Sequence, residues 1–525
     1  MSLDNERILI AQGRGRIGLK EYRQAEELFR SVLRENSACA EAFFELGKIC
    51  YIEARHRQAA EYLEKAISLN MADYYAYLLL GKVYKELKDY TRAVAAFRKT
   101  LSLGYKEKEV YQELFDSCKM QEFFDISEEE LRVACTLGYG RDVCRLVQGY
   151  NLNGKYELTA RIVPEIIKVF PEEELLLRNI LLNELEIAQK KDVLVSYPRR
   201  LTVTLSNRCN LSCIMCLTSK VKWEIPRHVL EEIYMLFPYM EKVMWQGGEV
   251  FALPFFEEVL TRGFAYPHLR HSIVTNAQLI SEPMAHKLVR NNVELTISID
   301  GFTKQVYEYI RKGGSFEVLM KNIKLIAELK RSVQSPMVLN LNMAVMKSNY
   351  RQLERVIDFA HEYGFDFVCL MPIHIHLATP EDIFTNRDAE ALAFIDRVSP
   401  AIAEQARQKG VRLENRLFFT KEEEKPVQGC ERSQPQSAIP AQKKLLCHIP
   451  WQQLLVDYNG TVRPDCLCLI EHQAGSLVSG DSLWGIWNNP VMQEYRHKIA
   501  SGQHQGYCNC LCGSGAICES HLKIP

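Results

Sequence analysis

Three cysteines lie close together in the chain, at Cys209, Cys213 and Cys216, with three and then two residues between them. Thiolates are the ordinary ligands of iron–sulfur clusters, and four of them close a [4Fe–4S] cube that serves simple electron transfer. Three thiolates leave one iron without a protein ligand. The spacing therefore indicates a cluster whose open iron binds a small molecule, and that iron is where chemistry can take place.

The Cys-x3-Cys-x2-Cys loop, with Asn210-Leu211 after its first cysteine, resembles the signature of the radical S-adenosylmethionine superfamily. The resemblance implies that the methionyl amino and carboxylate groups occupy the open iron of a [4Fe–4S] cluster. One electron then releases a 5'-deoxyadenosyl radical, while the protein positions the substrate and excludes competing reactions. The alternative for the thiols alone is a structural zinc site, which usually has two Cys-x2-Cys pairs or a mixture of cysteine and histidine.

Further motifs of the same superfamily follow the predicted strands. Adjacent glycines permit close approach that a side chain would block, and Gly247-Gly248-Glu249 resembles the element that binds the methionyl amino group. Ser298 and Asp300, in Ser-Ile-Asp-Gly, and the later Arg311 resemble segments of peptide-modifying members. The resemblance implies that Ser298 hydrogen-bonds the ribose hydroxyls and that Arg311 pairs with the methionyl carboxylate.

Two positions depart from the usual pattern of the superfamily. Asn276 follows Thr275 as in the frequent Thr-Asn-Gly, but Ala277 comes next. Met215 stands where many members carry an aromatic residue over the adenine, so a softer thioether contact replaces stacking. We include Asn276 and Met215 among the cofactor-binding residues, and we assign no residue a catalytic role.

The tail from Leu446 onward is cysteine-rich and irregular. It resembles the SPASM extension, whose cysteines bind auxiliary iron–sulfur clusters. The resemblance implies one or two auxiliary [4Fe–4S] clusters, and the ligands selected for one of them are Cys447, Cys466, Cys508 and Cys510. Cys512, Cys468 and Cys518 are the substitutes or the ligands of a second cluster, and Cys512 is the one of these counted among the metal ligands. Zinc binding by the same thiols is the alternative.

The elements that would position these residues begin with a repeat. Between residue 7 and about 104 the sequence repeats every 34 residues, at Gly13, Gly47 and Gly81, at Ala25, Ala59 and Ala93, and at Phe29, Leu63 and Phe97. This pattern matches the tetratricopeptide repeat, a helix–turn–helix unit in which small residues let paired helices approach. Degenerate repeats are expected beyond Gly104. Because solenoids present extended grooves, we expect the repeats to recruit a peptide leader or a carrier protein.

Short apolar runs then alternate with helical segments as far as about Pro372. The runs are 201–205, 242–245, 271–275, 293–299, 338–345 and 365–371. Such alternation indicates parallel strands with crossover helices, and six units resemble the partial (β/α)6 barrel of the superfamily. Each motif then falls at the carboxyl end of a strand, where barrels place their chemistry.

The predicted fold class is therefore multidomain. An all-α tetratricopeptide-repeat solenoid (1–195) precedes an α/β partial (β/α)6 barrel (196–380), a helical bridge and linker (381–445) and a small irregular cysteine-rich iron–sulfur domain (446–525). The linker holds Cys430, and His374 and His376 follow the sixth strand. Their roles stay open between hydrogen or proton donor, acid or base, and plain surface group.

Charge and cysteine content limit the class of protein. The 525 residues carry a formal net charge of -1, which excludes a broad electrostatic surface for nucleic acid or anionic lipid. No secretory signal and no run of about 18 apolar residues is found, so a cytoplasmic location is expected. Seventeen cysteines in that reducing compartment indicate metal sites and oxygen sensitivity.

The function expected from these features is hydrogen abstraction from a substrate carbon, most often in the maturation of a peptide or protein. The partners expected are that substrate and an electron donor such as flavodoxin or ferredoxin, with no nucleic acid and no membrane. Oxidation or epimerisation of a carbohydrate or another small metabolite is the second hypothesis. A scaffold with structural metal clusters is the third.

Overall fold

The computed structural model of the chain describes residues 3–71, 73–119, 127–216, 222–373, 379–417, 446–464 and 473–503. The chain divides into two compact units. The first comprises Met1–Tyr150 with Arg161–Pro171, and the second comprises Asn151–Ala160 with Glu172–Pro525. Within the described ranges, none of the helices combines the length and apolarity needed to cross a membrane.

Successive helices build the first unit: α1 Leu3–Gly18, α2 Tyr22–Glu35, α3 Ala40–Ile52, α4 His56–Ser68, α5 Tyr74–Glu86, α6 Tyr90–Ser102, α7 Lys108–Lys119, α8 Glu128–Thr136, α9 Gly140–Leu152 and α10 Tyr156–Val169. The last two helices extend into the second unit. A Cβ added at Gly13 would lie 2.5 Å from the ring of Phe29, and one at Gly81 would lie 2.5 Å from the ring of Phe97. The structure thus confirms that the repeat glycines let the paired helices approach.

In the residues that the structure describes, one ten-stranded sheet forms the frame of the second unit. Its strands are β1 Arg200–Thr204, β2 Lys242–Gln246, β3 Arg270–Thr275, β4 Val293–Ser298, β5 Val338–Val345, β6 Phe367–Pro372, β7 Arg412–Asn415, β8 Gln453–Val456, β9 Thr461–Pro464 and β10 Gly475–Ser476. The order is β10-β9-β8-β1-β2-β3-β4-β5-β6-β7. Strands β1 to β7 are parallel. The alternation of apolar runs and helical segments predicts β1 to β6, whereas β7 lies in the segment expected to be a helical bridge and linker.

The helices of the second unit are α11 Leu175–Ala188, α12 Arg227–Tyr234, α13 Phe256–Phe264, α14 Glu282–Val289, α15 Lys304–Ile310, α16 Phe316–Ser332, α17 Val356–Glu362, α18 Ala389–Lys409, α19 Ile449–Gln452, α20 Leu483–Trp487 and α21 Pro490–Ala500. Short 3-10 helices cover Phe237–Tyr239, Val250–Ala252, Tyr350–Arg355 and Leu477–Ser479. One continuous apolar core joins these helices to the buried residues of the strands.

The described part of the C-terminal segment extends the sheet. Strand β8 pairs in parallel with β1, with Leu201 opposite Leu454 and Val203 opposite Val456, and β9 pairs antiparallel with β8. The cysteine-rich tail therefore begins as regular structure. The reason is that β1 would otherwise leave its free edge with unpaired backbone N–H and C=O groups.

Helix α11 belongs to the second unit. Asn183 Nδ2 donates to the Trp451 carbonyl, 2.5 Å away, and the Arg199 guanidinium lies 2.5 Å from Glu184 Oε1 and 2.7 Å from Glu241 Oε2. The predicted boundary at residue 195 falls after this helix, whereas the compact units divide before it.

Candidate cofactor site at the carboxyl ends of the strands

The loop with the three cysteines follows β1 and is held by the end of α15 and by the residues directly after it. Ser212 N donates to the Lys312 carbonyl at 2.9 Å, and Ile214 N donates to the Ile310 carbonyl at 2.9 Å. These two bonds fix the backbone on both sides of Cys213. The sequence motif is therefore brought together with residues about a hundred positions further along the chain.

The three thiols share one electrostatic environment. Burial raises the pKa of Cys213 to about 11, while Arg311 opposes this rise and Cys209 and Cys216 add to it. Burial also raises the pKa of Cys209. In the described part of the chain no three acidic, histidine or cysteine side chains converge on a single metal ion. A cube takes each thiolate on a different iron, so its ligands do not share one point.

Gly247 and Gly248 allow the loop after β2 to pass directly against the cysteine loop. A Cβ at Gly247 would lie 2.3 Å from the Ser206 carbonyl oxygen, and one at Gly248 would lie 1.9 Å from the Arg208 carbonyl oxygen. Gly248 N donates to Ser206 O at 2.7 Å, and Glu249 N donates to Arg208 O at 2.8 Å. The group that approaches these glycines closely in the structure is thus the backbone of the cysteine loop.

The Glu249 carboxylate is buried and receives three hydrogen bonds from its own chain. Oε1 accepts from Thr275 Oγ1 at 2.7 Å and from Phe251 N at 3.2 Å, and Oε2 accepts from Asn276 N at 2.7 Å. Burial raises its pKa and these hydrogen bonds oppose the rise. Glu249 therefore fixes the end of β3 to the loop after β2.

Asn276, at the end of β3, reaches the first cysteine of the motif. Its Nδ2 donates to Asn210 Oδ1 at 2.9 Å and lies 3.8 Å from Cys209 Sγ. The sequence motif contained Asn210 only as part of a signature. Its role as the partner of Asn276 depends on two loops that meet in space, and no signal in the sequence reveals it.

Arg311 and Asp300 form a buried ion pair beside Cys213. Arg311 Nη2 lies 2.6 Å from Asp300 Oδ2, and Arg311 Nη1 lies 3.9 Å from Cys213 Sγ. Asp300 Oδ1 also accepts from Ala344 N at 2.8 Å, which ties the end of β4 to β5. Arg311 Nε is buried and has no hydrogen-bond partner in the described residues. A guanidinium with an unused donor next to the thiols fits an anionic group such as a methionyl carboxylate.

Met215 packs against an apolar cluster made of Ile310, Met346 and Ile373. Ser298 ends β4 opposite Asn342 of β5. Met215 therefore lies in the loop that carries Cys213, and Ser298 ends the strand that Asp300 follows.

Among the predicted auxiliary ligands, Cys447 is half-buried. It lies between Leu446, whose N donates to Tyr156 Oη at 3.3 Å, and the buried His448. The other predicted ligands and candidate groups lie outside the described residues: Cys466, Cys468, Cys508, Cys510, Cys512, Cys518, Cys430, His374 and His376.

Comparison with protein families supports the same order of modules. The radical SAM superfamily matches residues 203–360, and an iron–sulfur cluster-binding domain, SPASM, matches residues 447–513. Tetratricopeptide repeats match residues 10–55, 40–72 and 74–103. These matches confirm the predicted cofactors, a [4Fe–4S] cluster with S-adenosylmethionine and iron–sulfur binding in the C-terminal segment.

Curated relatives are similar over part of the chain. Mycofactocin maturase MftC of Mycobacterium tuberculosis is 26% identical over 175 residues, which cover 32% of this chain and 43% of MftC. Sporulation killing factor maturation protein SkfB of Bacillus subtilis is 26% identical over 230 residues, covering 42% and 54%. The cysteine-type anaerobic sulfatase-maturating enzyme of Clostridium novyi is 26% identical over 212 residues, covering 34% and 55%. The chain thus spans about half the length of the curated relatives it matches.

A similar solved structure is that of Streptococcus suis SuiB, with a TM-score of 0.48 and 14% sequence identity over 71% of this chain and 84% of SuiB. Residues 203–360 match the radical S-adenosylmethionine superfamily, and this match lies between the tetratricopeptide-repeat matches and the SPASM match.

Proposed function

We propose that the chain is a radical S-adenosylmethionine enzyme that abstracts hydrogen from a carbon of a peptide or protein during its maturation. The observation that carries this proposal is the loop of Cys209, Cys213 and Cys216, held at the carboxyl ends of the strands beside the buried Arg311. When bound, the cluster with S-adenosylmethionine supplies the reductive cleavage that yields 5'-deoxyadenosine after hydrogen abstraction.

Each residue of the site has a proposed task. The three thiolates hold the cluster, and Arg311 neutralises the methionyl carboxylate with the donor that is otherwise unused. Asp300 holds Arg311 in place through the contact at 2.6 Å. Glu249 keeps the loops after β2 and β3 together, so that both close against the cysteine loop. Met215 and Ser298 are proposed to contact the adenosyl part of the cofactor.

A polypeptide substrate is proposed because relatives of the chain are named as maturases of a peptide or a protein. The repeats are proposed to recruit that substrate or a carrier protein. An auxiliary [4Fe–4S] cluster at Cys447, Cys466, Cys508 and Cys510, with Cys512 as a substitute or a ligand of a second cluster, is part of the proposal. An electron donor such as flavodoxin or ferredoxin completes it. The enzyme is proposed to act in the cytoplasm under low oxygen.

The class of reaction is tested on the full-length chain after anaerobic reconstitution with iron and sulfide. We expect 5'-deoxyadenosine from S-adenosylmethionine after reduction with dithionite, and none from Cys213→Ala. The matched control is Cys135→Ala, which removes a buried thiol from the first unit and leaves the product unchanged. A wild-type protein that holds a reducible cluster, detected by electron paramagnetic resonance, and yet forms no 5'-deoxyadenosine contradicts the proposal and favours the scaffold hypothesis.

The class of substrate is tested by isotope transfer. A short precursor peptide encoded beside this gene is synthesised with deuterated residues, and we expect deuterium in the 5'-deoxyadenosine. Neighbouring glycosyltransferase genes and deuterium transfer from a sugar nucleotide instead of a peptide would favour the small-metabolite hypothesis.

A further inference from the structure

A row of basic side chains follows the glycine of each clear repeat. Arg14, Lys48 and Lys82 stand 34 residues apart. In the first repeat, Arg14 pairs with two acids of the next repeat. Its Nη2 lies 3.3 Å from Glu41, 27 residues further along, and its Nε lies 2.6 Å from Glu45, 31 residues further along.

The third repeat shows the same arrangement. Lys82 Nζ lies 2.5 Å from Glu109, which is again 27 residues further along. Burial lowers the pKa of Lys82, but its attraction to Glu109 and to Glu113 raises the pKa overall. In the first and the third repeat, the basic residue is therefore neutralised by acids at these two positions of the repeat that follows.

The third repeat lacks acids at these two positions, which face the basic residue of the middle repeat, Lys48. The positions equivalent to Glu41 and Glu45 are occupied by Tyr75 and Leu79, so Lys48 has no carboxylate at either position of the next repeat. Its ion contact in the described residues is with Glu45 of its own repeat, at 3.8 Å, and that carboxylate already binds Arg14 more closely. The Lys48 side chain is 34% exposed.

Tyr75 presents an aromatic ring at the position of the missing acid. The residue is 45% exposed, and its ring meets the ring of Phe44 edge-on at 6.0 Å. Tyr74, beside it, stacks on Tyr105 at 4.4 Å. Lys48 is thus accessible and only partly neutralised. The position of the missing acid in the next repeat carries the exposed ring of Tyr75, which packs against Phe44.

We propose that Lys48 and Tyr75 form a docking site for an acidic residue of the polypeptide substrate, with an adjacent apolar residue of that segment against the Tyr75 ring. Charge complementarity selects an acid, because both neighbouring repeats supply a carboxylate at the equivalent place. A rigid aromatic side chain offers contact area at a small entropic cost. The inference rests on the proposed function in that the ligand is taken to be the substrate.

The site is tested with a displayed library of short random peptides, selected on the full-length chain. We expect enrichment of peptides that carry Asp or Glu next to an aromatic or aliphatic residue. Tyr75→Glu places a carboxylate at the position where the neighbouring repeats have one, and we expect it to abolish that enrichment. The helical content measured by circular dichroism should stay unchanged. Tyr75→Phe, which keeps the ring, retains it.

An enriched peptide, labelled with fluorescein, then gives affinities by anisotropy. Lys48→Ala is expected to weaken binding by up to about fivefold, as for a partly exposed ion pair. Tyr75→Glu adds repulsion and is expected to weaken it at least about tenfold. Lys82→Ala, which removes a neutralised lysine, is expected to leave the affinity within about twofold.

The site is overturned if the wild type enriches no acidic peptides. It is also overturned if Lys82→Ala lowers the affinity as much as Lys48→Ala, because the peptide would then be attracted to basic residues in general. The formation of 5'-deoxyadenosine without peptide separates the two proposals. If it forms and no acidic peptide is selected, only the docking site is wrong. If acidic peptides are selected and no 5'-deoxyadenosine forms, only the reaction class is wrong.

Discussion

At the scale of single residues, Arg311 provides the positive charge of the candidate site. It is buried, it is paired with Asp300, and it lies beside a thiol that is expected to carry a cluster. Removing one partner of a buried ion pair leaves an uncompensated charge, which costs more than the pair contributes when intact. The effect of Asp300 is therefore large compared with that of an exposed acid.

The first prediction concerns Asp300→Asn. The amide keeps an acceptor for Ala344 N but leaves the Arg311 guanidinium without its counter-charge. We expect the free energy of unfolding of the second unit to fall by about 3 kcal/mol. Tryptophan fluorescence during denaturation by urea measures it, because all five tryptophans belong to this unit. Glu231→Gln, in the exposed pair with Arg262, is the control, and equal midpoints for the two variants would refute the prediction.

Gly248→Ala gives the second prediction. Because the new Cβ would lie 1.9 Å from the Arg208 carbonyl oxygen, the cysteine loop has to move away from the loop after β2. We expect the iron content after anaerobic reconstitution to fall to that of Cys213→Ala. Gln246→Ala, at the end of the same strand, serves as the control. Full iron content in Gly248→Ala would show that the loop tolerates the shift.

The sequence predicts residues of the candidate site but not how their side chains are paired. The cysteines, the two glycines, Asp300 and Arg311 belong to short motifs that resemble those of the superfamily. Contacts such as Arg311 with Cys213 join residues 98 positions apart, and they depend on how the loops after different strands meet. Glu249 and Asn276 could each be singled out, whereas the hydrogen bond that joins them could not.

At the scale of elements, the repeat helices and the first six strands follow their sequence patterns. Buried parallel strands have continuous apolar sequences, and segments with the periodicity of a helix lie between them. The predicted ends of β1 to β6 therefore agree with the observed ends within two residues. Strands β7 to β10 are not predicted. They are two to four residues long, and their place in the sheet depends on the free edge of β6 for β7 and on the free edge of β1 for β8 to β10.

Two glycines of α1 give the third prediction, with opposite signs. In Gly13→Ala the new methyl group would lie 2.5 Å from the Phe29 ring, whereas Gly15 has no atom within 4 Å of such a group. We expect Gly13→Ala to lower the free energy of unfolding of the first unit by about 1 to 3 kcal/mol. Gly15→Ala should raise it by up to about 1 kcal/mol through helix propensity. Far-ultraviolet circular dichroism during denaturation measures both, and equal signs would disprove the packing argument.

At the scale of the whole molecule, the division into units differs from the division into motifs. Helix α11 follows the repeats in sequence, yet its Asn183 donates a hydrogen bond to Trp451 of the C-terminal segment and its Glu184 pairs with Arg199, the residue before β1. The same is true of Tyr156, which receives a hydrogen bond from Leu446. Repetition in the sequence therefore does not show where the catalytic unit begins.

The fourth prediction concerns truncation. A chain of residues 196–525 lacks Glu184, so Arg199 keeps Glu241 as its acidic partner. The Trp451 carbonyl also loses the hydrogen bond that Asn183 donates to it. We expect it to aggregate, whereas residues 151–525 should remain in solution and bind iron. Size-exclusion chromatography and iron analysis compare the two. A monomeric 196–525 fragment with full iron content would show that α11 is dispensable.

The pairing of β8 with β1 also has a consequence for biosynthesis. Strand β1 emerges from the ribosome early, but its neighbour on one side is made roughly 250 residues later, which takes on the order of tens of seconds at cellular rates of translation. During this interval an apolar strand is open to pairing with other nascent chains. Lower growth temperatures and co-expressed chaperones should therefore raise the yield of native protein. Messenger RNAs that end before codon 446 should produce inclusion bodies.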